Sequence, residues 1–185
     1  MAVLPGSREG EVRRHLPAVL DAVGRLRQGR PATFLLGTPA GLGKRLGRLP
    51  IQVVEGETWD LLAHADLALA ASGTVTIEAA LLGTPMITFY KVTGLSWWLG
   101  KFLVNVPYYS MVNLVAERQV VLELMQNEVT GARLAQEAAR LLNDPAARQK
   151  MKQSLKEVAA RLRTPHDPME RAARIVQELV NEGMA

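Results

Sequence analysis

Residues 67–89 constrain this chain more than any other stretch. Leu67 to Ala71 is a short apolar run suited to a strand buried on both faces. Ser72 and Thr74 are residue types that cap helices, Gly73 permits a sharp turn, and Ile77, Ala80 and Leu81 follow at helical spacing. Gly83 and Pro85 close that helix, and Pro85 to Phe89 opens another strand. The stretch predicts strand, tight turn, helix, turn and strand, the repeating unit of a parallel sheet.

A strand that runs through a Ser-Gly-Thr turn into a helix leaves backbone N–H groups and the positive end of the helix dipole at one spot. That spot favours a phosphate or another anion. Glu78 lies one helical turn further on, where a carboxylate can accept hydrogen bonds from ribose hydroxyls. The plainer alternative is that Ser72 and Thr74 only cap the helix and Glu78 is solvated.

The rest of the first half bears on that choice. Ala2 to Leu4 predicts a strand that ends in Gly6, Ser7 and Arg8, and Val12, Leu16, Val19, Leu20, Val23 and Leu26 predict a helix over 9–27. Pro17 falls inside that helix as a candidate kink. Strands are expected at 32–36 and 51–54, joined by a Gly-rich basic connection from Gly37 to Pro50, with a short helix at 57–65. Five strands alternating with helices give an α/β fold, a Rossmann-like parallel sheet covered on both faces. Ligands of such sheets sit at the carboxyl ends of the strands. Both Gly6-Ser7-Arg8 and Ser72-Gly73-Thr74 fall there, so the two turns can converge on one ligand. That convergence favours the functional reading.

Beyond Lys91 the character changes. Gly94 to Val104, with Trp97, Trp98 and Phe102, reads as an aromatic amphipathic helix, with a core role ahead of a membrane or acyl-chain surface. An irregular segment to Asn113, a helix over 114–126, and helices at 131–142, 145–162 and 168–181 complete the reading. Residues 1–130 would form the ligand-binding domain, and 131–185 would be helices completing it or crossing from it. An apolar stripe of Ala172, Ile175, Val176 and Leu179 is expected to stand exposed on the last helix.

Composition narrows the chemistry. With no cysteine, neither disulfides nor thiolate metal sites carry the fold, and the three histidines lack metal-like spacing. His15, His64 and His166 are read as structural or surface residues. The net charge of +4 suits an anionic partner such as a nucleotide, a phospholipid-like substrate or a membrane surface. No nucleic-acid motif, secretory signal or bilayer-spanning run is present, which gives a cytoplasmic expectation and no nucleic-acid partner. Ser72 lacks a nucleophile elbow, and the dinucleotide fingerprint G-x-G-x-x-G is absent.

Arg8 closes a Gly-Ser turn, where a guanidinium can hold a diphosphate bidentately. Glu55 ends the third strand and can present backbone groups to a base, or simply belong to a turn. Lys91 ends the fifth strand beside Tyr90, a candidate anion contact. Asn113 can reach a phosphate or sugar, although asparagine in such a segment commonly forms a local turn.

Leu4 to Arg8, Ala71 to Thr74 with Glu78, Gly83 to Pro85, Tyr90-Lys91, Trp98 to Lys101, Val106 to Tyr108, Asn113 to Ala116 and Arg118 together resemble the lipid-A-disaccharide synthase family. The resemblance runs from about residue 3 to residue 180. It implies the C-terminal, nucleotide-binding half of a GT-B glycosyltransferase. The implied reaction passes 2,3-diacylglucosamine from UDP to 2,3-diacylglucosamine 1-phosphate with inversion, at the cytoplasmic face of the inner membrane and without a metal or other cofactor. By the same resemblance Arg8 holds the donor diphosphate and stabilises the leaving group. Ser72, Gly73 and Thr74 form the phosphate site, Glu78 binds ribose and Asn113 lines the pocket. The family's acceptor-binding half, with the general base, is expected outside this chain, supplied as a partner or within a homo-oligomer. A nucleotide-sugar-binding module without activity and a UDP-sugar epimerase are the alternatives. Val112, Glu117 and Leu122 stand where the family usually has Pro, Gly and Pro, and the 37–50 connection looks shorter than usual.

Overall fold

A computed structural model of the chain describes residues 1–29, 31–93, 106–163 and 167–183. The helix expected over 94–104 lies outside the described residues. In chain order the elements are β1 (Ala2–Leu4), α1 (Glu9–Gly29), β2 (Leu35–Thr38), α2 (Leu42–Arg45), β3 (Gln52–Glu55), α3 (Thr58–Ala63), β4 (Ala68–Ala71), α4 (Val75–Leu82) and β5 (Met86–Tyr90). After the undescribed segment come α5 (Met111–Ala116), β6 (Leu122–Met125), a 3₁₀ turn (Gln126–Glu128), α6 (Gly131–Asn143), α7 (Pro145–Leu162) and α8 (Pro168–Gly183).

The strands form one six-stranded sheet in the order β3-β2-β1-β4-β5-β6, parallel throughout. This is the Rossmann-like arrangement expected, with the strand order reversing between β1 and β4. Alternation along the strands sorts their side chains into two cores. Val3, Leu36, Leu69, Ile87, Phe89 and Leu124 face α1 and α6, through Val12, Val19, Leu134 and Ala138 among others. Ala2, Leu4, Ala68, Ala70 and Met86 face the other layer, where Leu62, Ala79, Ala80, Val112, Leu155 and Val158 come from α3, α4, α5 and α7. On that second face, the small side chains of Ala68 and Ala70 meet the small Ala79 and Ala80, so α4 can pack close to the sheet. Close packing brings the start of α4 up to the strand ends.

Several boundaries differ from the sequence reading. β2 begins at Leu35 rather than Ala32, because Leu35 is where pairing with Ala2 of β1 starts. The connection from Gly37 to Pro50 contains the short α2. The helix expected over 114–126 is overturned. It runs only from Met111 to Ala116, and Leu122–Met125 is a sixth strand beside β5. Glu117 stops the helix by adopting a left-handed backbone, φ 56°. The buried Asn113 then holds the returning chain, its Oδ1 accepting from the amides of Val120 (2.7 Å) and Val121 (2.9 Å). Helix α1 continues through Pro17 to Gly29.

The stripe expected on the last helix stands exposed: Ile175, Val176 and Leu179 are 48%, 60% and 63% accessible.

Glu117 occupies a conformation that an L side chain adopts only at a steric cost, and glycine is the usual residue at such helix ends. Glu117→Gly is expected to stabilise the chain by roughly 0.5–1 kcal/mol, the left-handed penalty less glycine's entropy. Denaturant unfolding of the two proteins checks this; an unchanged or lower midpoint would contradict it.

Candidate functional site

The parallel register places the carboxyl ends of β1, β2, β4 and β5 along one edge, and a cavity of about 350 Å³ opens there. Gly6, Ser7 and Arg8 border it from the loop after β1, and Ser72, Gly73 and Thr74 from the turn after β4. Glu78 borders it from α4. The two turns singled out in the sequence therefore meet over one space. Thr38 and Pro39 at the end of β2, Thr58 on α3, Glu11 on α1 and Tyr90 on β5 also line it.

The turn after β4 is the part best equipped for an anion. The expectation that Ser72 and Thr74 cap α4 is not met. The Ser72 hydroxyl donates to the carbonyl of Tyr109 (2.9 Å), and Thr74, with helical φ −57° and ψ −31°, makes no side-chain cap. The amides of Thr76 and Ile77 bond back to the carbonyls of Gly73 (3.1 Å) and Thr74 (2.9 Å), closing the first turn. The amides of Gly73, Thr74 and Val75 have no acceptor among the described residues. Three N–H groups at the positive end of a helix are thus left for an exogenous oxygen anion. The Arg8 side chain is exposed, and its guanidinium has no ion pair or hydrogen bond among the described residues. Glu78 is half-buried, and its carboxylate likewise has no partner.

The loop after β1 is built differently from that turn. Its amides at Ser7 and Arg8 donate to Glu11 Oε2, at 3.0 and 3.4 Å. Gly6 has φ +123°, and a Cβ there would run into the Glu11 carboxylate. Burial, together with the neighbouring negative charge of Glu11, raises the pKa of the Tyr90 phenol. Glu11 thus already occupies the amide cradle of this loop, leaving the Arg8 side chain as the loop's contact with an anion. Sequence reasoning missed Glu11 because an acid in a first helical turn is ordinary dipole compensation.

His15 is a second brace. It is fully buried, with Nδ1–H donating to the carbonyl of Pro5 (2.7 Å) and Nε2 accepting from the amide of Lys91 (3.0 Å). The rings of Phe89 and Tyr90 stand edge-on to it, 5.2 and 5.4 Å away. The loop after β1 is thereby tied to the end of β5. The sequence carried a signal for this, since position 15 falls on the apolar stripe three residues after Val12.

Three other candidates stand outside the cavity lining. Glu55 is spent on α2, its oxygens accepting from the amides of Gly41 and Lys44, both at 3.1 Å. These bonds, that to Gly41 foremost, lower its pKa. Asn113 is buried with its whole amide committed, Nδ2 donating to the Val121 carbonyl (2.9 Å) and to Glu123 (2.8 Å). Lys91 uses its amide on His15, and its carbonyl accepts from Arg14 (3.3 Å). Among the described residues no cluster of His, Asp or Glu has a metal-holding arrangement, and no helix is long and apolar enough to cross a membrane.

Burial lowers the pKa of His15, against the opposing pull of its bond to Pro5. The folded protein therefore holds this ring neutral while the unfolded chain takes up a proton near pH 6.5. The contribution is complete above that value and is lost as pH falls through it toward the lower folded pKa. Stability measured by denaturant titration is expected to drop between pH 7.5 and 5.5 more steeply for the wild type than for His15→Gln. Equal slopes would contradict this.

The sequence model of the family described as lipid-A-disaccharide synthetase matches residues 1–177. A lipid-A-disaccharide synthase of Solibacter usitatus is 55% identical over 185 residues, covering 97% of this chain and 49% of that protein. One of Nitrosococcus oceani is 38% identical over 161 residues, covering 83% of this chain and 42% of that protein. The chain spans about half the length of the curated relatives it matches. Among solved structures, a spinosyn rhamnosyltransferase complexed with thymidine diphosphate superposes with a TM-score of 0.57 at 15% identity, covering 87% of this chain and 41% of that one. That likeness concerns the fold, half of a GT-B architecture.

Proposed function

Because the chain belongs to the lipid-A-disaccharide synthase family, we propose that it is the donor-binding half of an inverting UDP-sugar-dependent glycosyltransferase. The reaction moves 2,3-diacylglucosamine from UDP to 2,3-diacylglucosamine 1-phosphate and yields the lipid A disaccharide 1-phosphate and UDP. One observation carries the site assignment: Arg8 and the amides of Gly73, Thr74 and Val75, which have no acceptor among the described residues, border a single cavity.

The chemistry follows from those groups. As the bond between the anomeric carbon and the β-phosphate oxygen breaks, negative charge accumulates on the departing UDP. The three N–H donors and the α4 dipole are fixed in place before that charge develops, and the Arg8 guanidinium adds a full positive charge beside them. Glu78 accepts hydrogen bonds from the ribose. The acceptor hydroxyl attacks the opposite face of the sugar and gives its proton to a general base. That base and the acceptor site are assigned to the half of the relatives' length that this chain does not span. Residues 1–130 hold the donor, and the helices from 131 complete that domain or cross from it. The enzyme works as a peripheral protein at the cytoplasmic face of the inner membrane, where both lipid substrates present their sugars.

Two departures from the family pattern, at Val112 and Glu117, leave this reading intact. Val112 is packed in the core against the sheet, and Glu117 ends α5; neither lines the cavity. The reading of a vestigial module loses its motive with them. An epimerase shares the architecture, but the sequence match over residues 1–177 is to the synthase family.

Calorimetric titration with UDP tests the assignment. The chain is expected to bind UDP, and Arg8→Ala to weaken binding by about 1.5–3 kcal/mol, as for loss of a charge-assisted hydrogen bond. Absence of UDP binding, or an Arg8→Ala protein that binds like the wild type, would overturn it.

A further inference from the structure

Among the described residues, two hydroxyl oxygens, those of Thr38 and Ser110, are almost wholly covered and have no hydrogen-bond partner. Native proteins rarely leave such groups unpaired, because burial removes the hydroxyl's water and nothing offsets the loss. Ser110 precedes α5, where its amide is held by Glu123, and it does not line the cavity. Thr38 does line it.

Thr38 is the last residue of β2 and is 1% exposed. Its backbone is well occupied: it pairs with Glu55 of β3, and its carbonyl accepts from the amide of Gly56 at 2.9 Å. Nothing in this packing calls for a hydroxyl. Valine has the same shape, suits a buried strand better, and would leave no orphan oxygen. The hydroxyl is therefore a stability cost borne in the wall of the site.

The sheet order says which end of a ligand it serves. β1 lies between β2 and β4, so Thr38 is two strand spacings, roughly 10 Å, from the anion-binding turn at the start of α4. A bare diphosphate held at that turn does not reach Thr38. A nucleoside attached to the diphosphate is long enough to span that gap within the cavity, which Thr58 and Glu78 also line.

We propose that Thr38 is a positioning residue for the nucleoside end of the ligand, its nearly covered hydroxyl turning out of the cavity wall to gain its missing hydrogen bond with a polar atom of the bound nucleoside. The inference rests on the donor-site reading above. A hydroxyl can donate or accept, so it steadies the nucleoside without dictating the partner atom.

Calorimetry with UDP and with inorganic pyrophosphate, alongside thermal melting, tests this on Thr38→Val and Thr38→Ser. Thr38→Val is expected to weaken UDP binding roughly five-fold, the loss of one neutral hydrogen bond. It should leave pyrophosphate binding unchanged and melt no lower than the wild type, while Thr38→Ser keeps wild-type UDP affinity. Unchanged UDP affinity in Thr38→Val, an equal loss for both probes, or a lower melting temperature would each overturn the role. A wild type that binds no UDP would instead remove the donor-site reading, and this inference with it.

Discussion

The parallel pairing of β1 with β4 is the constraint on which the rest of the molecule depends. Ala2, Val3 and Leu4 stand beside Ala68, Leu69 and Ala70 in direct register. The chain therefore leaves both strands at the same level and on the same edge of the sheet. One exit is the loop carrying Arg8, and the other is the turn whose amides open α4. Sequence order keeps these segments more than sixty residues apart, and only the central pair of strands brings them to one cavity. A slip of one residue would turn each strand's apolar set to the wrong face and mix the two cores. The register is thus held by the same burial that stabilises the domain.

The two sides of the cavity then divide the work. The α4 side has N–H groups with no acceptor among the described residues, open to a ligand. The β1 side satisfies its own amides with Glu11 and is tied through His15 to the end of β5. This makes one side receptive and the other rigid. The rigid loop holds the backbone of Arg8 in place, while its exposed side chain is left to meet an anion in the cavity. The orphan hydroxyl of Thr38 belongs to the same logic: local stability is given up where a ligand group is to be met.

The first ninety residues were legible because strands buried on both faces read as apolar runs, and because Ser-Gly-Thr and Gly-Ser-Arg fall directly after two of them. What failed after residue 110 failed for a physical reason. Asn113 reads locally as a turn former or a ligand contact, yet it works at a distance of seven and eight residues, holding the chain as it returns into β6. Leu122 to Met125 is too short for its period to declare a strand until Phe89 and Tyr90 are known to lie beside it. Glu11 was hidden for a related reason. It has an unremarkable place on α1, and its role exists only once the amides of Ser7 and Arg8 are folded against it.

The central claim is that the receptive edge of the cavity is the amide cluster opening α4, while the loop after β1 contributes a side chain only. Amide nitrogen and proton chemical shifts followed by NMR during addition of UDP test this most directly. Gly73, Thr74 and Val75 are expected to move furthest, and Ser7, already bonded to Glu11, to move little. Shifts centred on Ser7 with the α4 amides unmoved would contradict it.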